Sequence, residues 1–233
     1  IKDLDIEEKS GKELVTRIDP LIEAEARKQI KAQYGNVNFK GEELEDEDNW
    51  SDLTFIIDPL DGTESFIYRE FNTTISIWVE YQWKLVHGIV YDFMKDMLYD
   101  GWNTSSLYMW WTKVPLIREK LSDQIRVLIS GRWDEVENVW LKLQEHSQIR
   151  TTRAYGSVAL QAVQTGAWTY DGYVRAGKIK TWDIAWGAPF IQGLDDTSIL
   201  SRDGNTFDHN NCQAWVIIVR NDFKEEFLKV LEI

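Results

Sequence analysis

The chain has 233 residues and one cysteine, Cys212, which excludes an internal disulfide. A lone thiol fits a reducing compartment, and the cytoplasm is the expected location. Histidine is also scarce: His87, His146 and His209 are scattered along the sequence. So few soft ligands make a zinc site a poor fit, and any metal would be a hard ion such as Mg²⁺ held by carboxylates. Positive charge is in deficit, with 26 basic against 39 acidic residues and a net charge of −13. That balance argues against a nucleic-acid partner, which needs a broad basic footprint. An acidic chain can still bind phosphate through metal ions, helix N-termini or a few placed cations. No apolar run is long enough to span a bilayer, and the sequence does not open on a basic-then-apolar signal pattern. No membrane partner is expected.

Hydrophobic residues make up 43% of the chain, enough for a sizeable core. Twelve tryptophans are expected to serve core and interface packing rather than base stacking. Leu21, Ile22, Ala26 and Ile30 recur at helical spacing after Asp19-Pro20, so a helix capped by Asp19 is expected to about Gln33. "NVNFKGEELEDEDNW" reads as a short strand entering an acidic loop, and the run Glu42 to Asp48 as solvated. "LTFIID", "TTISIWVE", "KLVHGIVYD" and "DMLYDG" read as strands, with a tight turn at Tyr81-Gln82-Trp83. Trp102 to Ser122 gives no clear signal.

Farther on, "IRVLIS", "YDGYVRAG" and "AWVIIV" read as strands, the last a central one. "RWDEVENVWLKLQEH" is an amphipathic helix with Val136, Val139, Trp140 and Leu143 on one face. Further helices are expected at "GSVALQAVQTGA", capped by Ser157, and "WDIAWGAPFIQGL", capped by Asp183. A last helix, "NDFKEEFLKVLE", carries Asp222 and Glu225 as a capping box. Helices alternate with strands of mixed direction, which predicts an α+β fold of alternating helix and mixed-sheet layers. It is expected to form one domain with two subdomains, about 1–125 and 126–233.

Four stretches place a carboxylate beside a turn or helix start: "VTRID", "KGEEL", "DPLDGT" and "TWDIAWG". Taken singly, Asp19 and Asp183 read as helix caps, Glu42 and Glu43 as surface charge, and Asp58 and Asp61 as turn formers around Pro59. Together they suggest a metal and phosphate cradle. Pro59 fixes one φ angle and helps aim both aspartates the same way. Two carboxylates so close repel unless a cation lies between them. Gly62 lets the backbone approach a ligand, and the Gly62 and Thr63 amides can donate to phosphate at a helix start near Thr63.

"GEEL", "DPLDGT" and "WDIAWG", in this order, resemble the signature motifs of the inositol monophosphatase superfamily. "KSGKELVTRID", "YGSVAL" and "ILSRDGNTFD" extend the resemblance from about Lys9 to Arg220. It implies a sugar-phosphatase fold and a Mg²⁺-dependent, lithium-sensitive phosphomonoesterase, with homodimerisation a further possibility. Two or three Mg²⁺ ions are implied. Glu42, Asp58 and the Leu60 carbonyl would hold the first, Asp58, Asp61 and Asp183 the second, and Glu42 the third. Asp19 and Thr63 would orient or deprotonate the attacking water. The implied substrate contacts are Gly62, Thr63, Ser157, Val158, Arg175 and Asp183, with Lys9 and Glu43 in support. "YVRAGKIKTWD" puts Arg175 where inositol monophosphatases carry an acidic residue, a pattern similar to the bisphosphate nucleotidase branch. The favoured substrate is therefore adenosine 3′,5′-bisphosphate, a small phosphorylated metabolite. Inositol monophosphatase or fructose-1,6-bisphosphatase activity is the alternative, and a non-catalytic phosphate-binding scaffold the rival class.

Overall fold

Strict alternation and near-continuous apolar runs translate into two sheets with helices between and outside them. The computed structural model describes residues 5–8, 14–101, 105–116, 123–131, 133–167, 169–177, 187–207 and 215–233. A two-stranded ribbon opens the fold, β1 (Glu7–Glu8) against β2 (Leu14–Val15), and helix α1 (Ile18–Tyr34) follows. Next come β3 (Asn38–Gly41), β4 (Leu53–Asp61), the short helix α2 (Thr63–Tyr68), β5 (Thr74–Tyr81), β6 (Lys84–Asp92) and β7 (Met97–Gly101). A hairpin of β8 (Ser105–Met109) and β9 (Thr112–Val114) completes a seven-stranded sheet of order β3-β4-β5-β6-β7-β8-β9. Its β3–β4 pair is parallel and every other pair is antiparallel.

The rest of the chain gives β10 (Ile125–Ser130), α3 (Trp133–Glu145), β11 (Ile149–Arg153), α4 (Val158–Gly166) and β12 (Gly172–Arg175). It ends with α5 (Gly187–Gln192), β13 (Thr197–Ser201), β14 (Val216–Arg220) and α6 (Lys224–Leu231). The five strands form a mixed sheet of order β11-β10-β12-β14-β13, with β14 interior as its apolar run predicts. Helices α4 and α5 lie between the two sheets, α1 covers the far face of the larger sheet, and α3 and α6 cover the far face of the smaller. The α/β layering expected from the sequence is thus observed.

Period-two burial builds the core. Leu128 of β10 faces the inter-sheet layer with Leu160, Val163, Tyr173 and Phe190. Its neighbours Val127 and Ile129 face α3 and α6, where Val136, Val139, Leu143 and Phe227 pack. In β4, Phe55 and Ile57 turn toward Ala26 and Ile30 of α1, while Ile56 meets Trp78 on the other face.

Two local expectations are corrected, and two features without a sequence signal are added. Arg17, not Asp19, occupies the N-cap of α1; Asp19 sits in the first turn. Asp222 and Glu225 form no capping box, because α6 begins after Phe223 without a side-chain cap and Asp222 pairs with Arg220 at 2.5 Å. The segment without a clear signal holds the β8–β9 hairpin, and "IRTTR" adds β11. The caps expected of Asp183 and the residues around it lie outside the described residues.

Candidate active site

Strand β4 ends in the stretch Asp58-Pro59-Leu60-Asp61. Its pairing with β5 shifts register between Asp58 and Asp61, so Pro59, which has no N–H, falls in the irregularity. Both aspartates are buried, at 3% and 7% exposure. Asp58 Oδ1 accepts from the Leu60 amide at 3.1 Å. Gly62 then turns the chain at φ +87 into α2. A Cβ at Gly62 would come within 2.8 Å of the Asn72 carbonyl oxygen and 3.0 Å of the Ser157 nitrogen, so left-handed backbone and close approach both require glycine.

Thr63, the first residue of α2, donates its hydroxyl toward the Leu60 carbonyl at 3.0 Å and Asp19 Oδ1 at 3.1 Å. Asp19 is 1% exposed, and its other oxygen accepts from the Thr16 amide at 3.1 Å and the Thr16 hydroxyl at 2.6 Å. The reach from Asp19 back to the residue three before it fixes the start of α1 and aims Oδ1 at Thr63.

Asp61 points into the other half of the molecule. Its carboxylate accepts from the Ser157 hydroxyl at 2.7 Å, the Val158 amide at 3.1 Å and the Ala159 amide at 2.5 Å. An anion over the first turn of α4 is favourable there. Ser157 caps α4 as expected, accepting from the Leu160 amide at 2.9 Å. The polar donors of Ser157 and Val158, expected at substrate, are thus directed at Asp61.

Glu42 and Glu43 follow β3 and are half-buried, as is Glu47, while Glu45, Asp46 and Asp48 are exposed, so the acidic run is solvated only in part. The Glu43 amide donates to Glu23 Oε2 at 2.9 Å. At the end of this loop Glu47 meets Lys31 at 2.6 Å, and the Lys31 hydrogen bond holds the Glu47 carboxyl below its usual range. Glu23 and its neighbour Arg27 are not part of the sequence-derived set; no local motif marks them.

Arg175 ends β12 and lines a cleft of about 520 Å³ with Ser130, Tyr155, Val158, Glu64 and Glu70. Its Nη1 donates to the Ala176 carbonyl at 2.8 Å, and its Nε is buried without a partner. Lys9 and Asp183 lie outside the described residues. Among the described residues, no three of His, Cys, Asp and Glu gather at metal-binding spacing. The donor set that is described consists of carboxylates and a backbone carbonyl, which suits Mg²⁺ rather than a softer ion.

Comparison with known proteins gives the family and the fold. A model of the inositol monophosphatase family matches residues 2–226. An inositol-1-monophosphatase of Bacillus subtilis is 29% identical over 202 residues, covering 83% of this chain and 75% of that protein. An inositol monophosphatase 1 of Xenopus laevis is 28% identical over 232 residues, covering 95% and 80%. The extragenic suppressor protein SuhB of Bartonella henselae superposes with a TM-score of 0.86 at 19% identity, over 99% of this chain and 89% of that one. A structure of an IMPase/NADP phosphatase complexed with Mg²⁺ and phosphate superposes at 0.80 with 19% identity, over 97% and 85%. No helix among the described residues is long and apolar enough to cross a membrane. The chain belongs to the inositol monophosphatase family and is a metal-dependent phosphoric monoester hydrolase.

Proposed function

We propose that this protein hydrolyses a monophosphate ester of a small polyol, inositol monophosphate being the favoured substrate. One observation carries the assignment of the site: Thr63 and Asp19, 44 residues apart, are hydrogen-bonded at the end of the strand that holds Asp58 and Asp61. Asp58, Asp61, Glu42, the Leu60 carbonyl and Asp183 would hold two or three Mg²⁺ ions. When bound there, Mg²⁺ would lower the pKa of a water and offset charge on the phosphoryl oxygens. Thr63 accepts a hydrogen bond from the attacking water; as the water's proton moves to Thr63 Oγ1, the threonine's own proton moves to Asp19 Oδ1. The Gly62 and Thr63 amides grip the phosphate.

Taken alone, Arg175 favours adenosine 3′,5′-bisphosphate. The names of the relatives support inositol phosphate instead, and the composition of the cleft agrees. Glu64 and Glu70 share the cleft with Arg175. Two carboxylates beside one guanidinium disfavour a second phosphate and suit sugar hydroxyls as hydrogen-bond acceptors. The test is hydrolysis of inositol 1-phosphate, adenosine 3′,5′-bisphosphate and fructose 1,6-bisphosphate, with Mg²⁺ and with excess chelator. Mg²⁺-dependent turnover fastest on inositol 1-phosphate is the expected result; a preference for either bisphosphate overturns the substrate, and full activity in chelator overturns the site.

A further inference from the structure

Helix α1 carries a second buried carboxylate that the chemistry above does not use. Glu23 lies one turn after Asp19 and is 0% exposed. Its Oε1 accepts from Arg27 Nη2 at 2.5 Å, and its Oε2 from the Glu43 amide at 2.9 Å. Arg27, 4% exposed, spreads its donors over the same loop. Nη1 reaches the Glu45 carbonyl at 2.8 Å and the Glu47 carboxylate at 3.3 Å, and Nη2 reaches the Leu44 carbonyl at 3.3 Å. The guanidinium also lies over the Phe39 ring, 5.4 Å from its centroid. Phe39 and Glu47 close the loop with two backbone bonds of 2.8 Å. Gly41, directly before Glu42, belongs to the same fit: a Cβ there would come 2.0 Å from Glu23 Oε1.

We infer that Glu23 and Arg27 are positioning residues that set the pose of Glu42 and thereby the affinity for Mg²⁺. The loop carries Glu42, Glu43, Glu45, Asp46, Glu47 and Asp48, whose mutual repulsion drives it outward. A ligand on an unheld loop must be ordered when the ion binds, and that ordering weakens binding. The buried Arg27 fork supplies the opposing charge and fixes three points of the loop backbone or its end, while Glu23 fixes a fourth. Stability alone does not explain such a pair, because apolar residues of similar volume often serve an interior equally well. The inference rests on Glu42 being a metal ligand.

The experiment compares wild type, Glu42→Gln, Arg27→Lys and the double variant Glu23→Leu/Arg27→Met. Mn²⁺ binding to the substrate-free enzyme is followed by electron paramagnetic resonance, and the Mg²⁺ dependence of hydrolysis is measured beside it. Arg27→Lys keeps a charge beside Glu23 but loses the fork; the double variant removes both buried charges together. Each is expected to raise the Mn²⁺ dissociation constant and the half-saturating Mg²⁺ about 10-fold, the scale for residues that support metal ligands, with kcat recovered at saturating Mg²⁺. Unchanged Mn²⁺ affinity in Arg27→Lys, or in a folded double variant, overturns the inference while leaving Glu42 in place. Unchanged affinity in Glu42→Gln overturns the role of Glu42 and the inference with it. Should the double variant not fold, Arg27→Lys decides.

Discussion

Residues 14–116 and residues 123–233 bury different things. The first region encloses Asp19, Glu23, Arg27, Asp58, Asp61, Glu80 and Asp92, each at most 7% exposed. Its own apolar cluster under α1 has just four fully buried members among the described residues, Val37, Phe39, Phe55 and Ile57. The second region buries hydrocarbon on both faces of its sheet. Its buried charges among the described residues are Asp171 and Arg220, which neutralise each other at 2.6 Å. Burying a carboxylate costs free energy unless partners replace water, whereas apolar burial contributes about 25 cal/mol per Å². The difference teaches a division of labour. The smaller sheet and its helices bury mainly hydrocarbon, while the larger sheet also buries the carboxylates proposed for catalysis.

The division is broken or sharpened by substitutions on either side. Asp58→Asn has the largest expected effect. It should reduce kcat/KM by at least ~3 kcal/mol of transition-state stabilisation, roughly 100-fold, while thermal unfolding is unchanged or moves up. A large drop in melting temperature would mean that Asp58 serves the fold. Leu143→Ala, at a fully buried position of the smaller sheet's cluster, is the mirror experiment. A loss of about 2–5 kcal/mol in denaturant unfolding is expected, with kcat preserved in the folded fraction. Thr63→Ala comes next: kcat should fall about tenfold, the scale of one hydrogen bond, with little change in KM. A loss confined to KM would reassign Thr63 to phosphate binding.

The smallest effect concerns the acidic loop. Lys31→Ala should cost at most ~1 kcal/mol at neutral pH, since the pair with Glu47 is partly exposed. The Glu47 carboxyl is held below its usual range, so the contribution is present above the ordinary carboxylate pKa and is lost as pH falls through the lower folded value. The difference between wild type and variant should therefore narrow in acid to what the Lys31 contact over the Phe39 ring, 5.3 Å from its centroid, contributes; a difference that does not narrow refutes the ion pair as its source.

Much of this was legible in the sequence, for identifiable reasons. Strand β4 is marked by a continuous apolar run, β5 by alternation and α3 by its apolar face, whereas α1 is found although its buried face is Asp19, Glu23 and Arg27 and its Leu21 is exposed. The turn at Gln82-Trp83 was found by its neighbours, though both residues adopt positive φ, at +49 and +65. The β8–β9 hairpin was not found, because its turn is made by Trp110 and Trp111 at φ +49 and +60, residues that announce no turn. Strand β11 is largely polar and lies at a sheet edge, so no apolar pattern marks it. Asp58, Asp61 and Thr63 stand out because they share one short motif, "DPLDGT", whereas Asp19 lies 44 residues from Thr63 in the separate motif "VTRID", and their pairing needs the fold. Glu23 and Arg27 were not legible, since an acid and a base four apart on a helix look the same in sequence whether solvated or buried. The substrate preference leaned on Arg175 alone, and Glu64 and Glu70 join it only through the tertiary fold.

The bonds from Asp61 to Ser157, Val158 and Ala159 bear on heredity as well as chemistry. A single carboxylate at the end of β4 closes a helix start 96 residues or more downstream. A chimera that takes the larger sheet from one relative and the smaller from another inherits a working joint only if Asp61 and the Ser157 turn match. Recombination across this seam is therefore constrained by the same aspartate that is proposed as a metal ligand, and the two halves are expected to diverge together rather than be exchanged as independent modules.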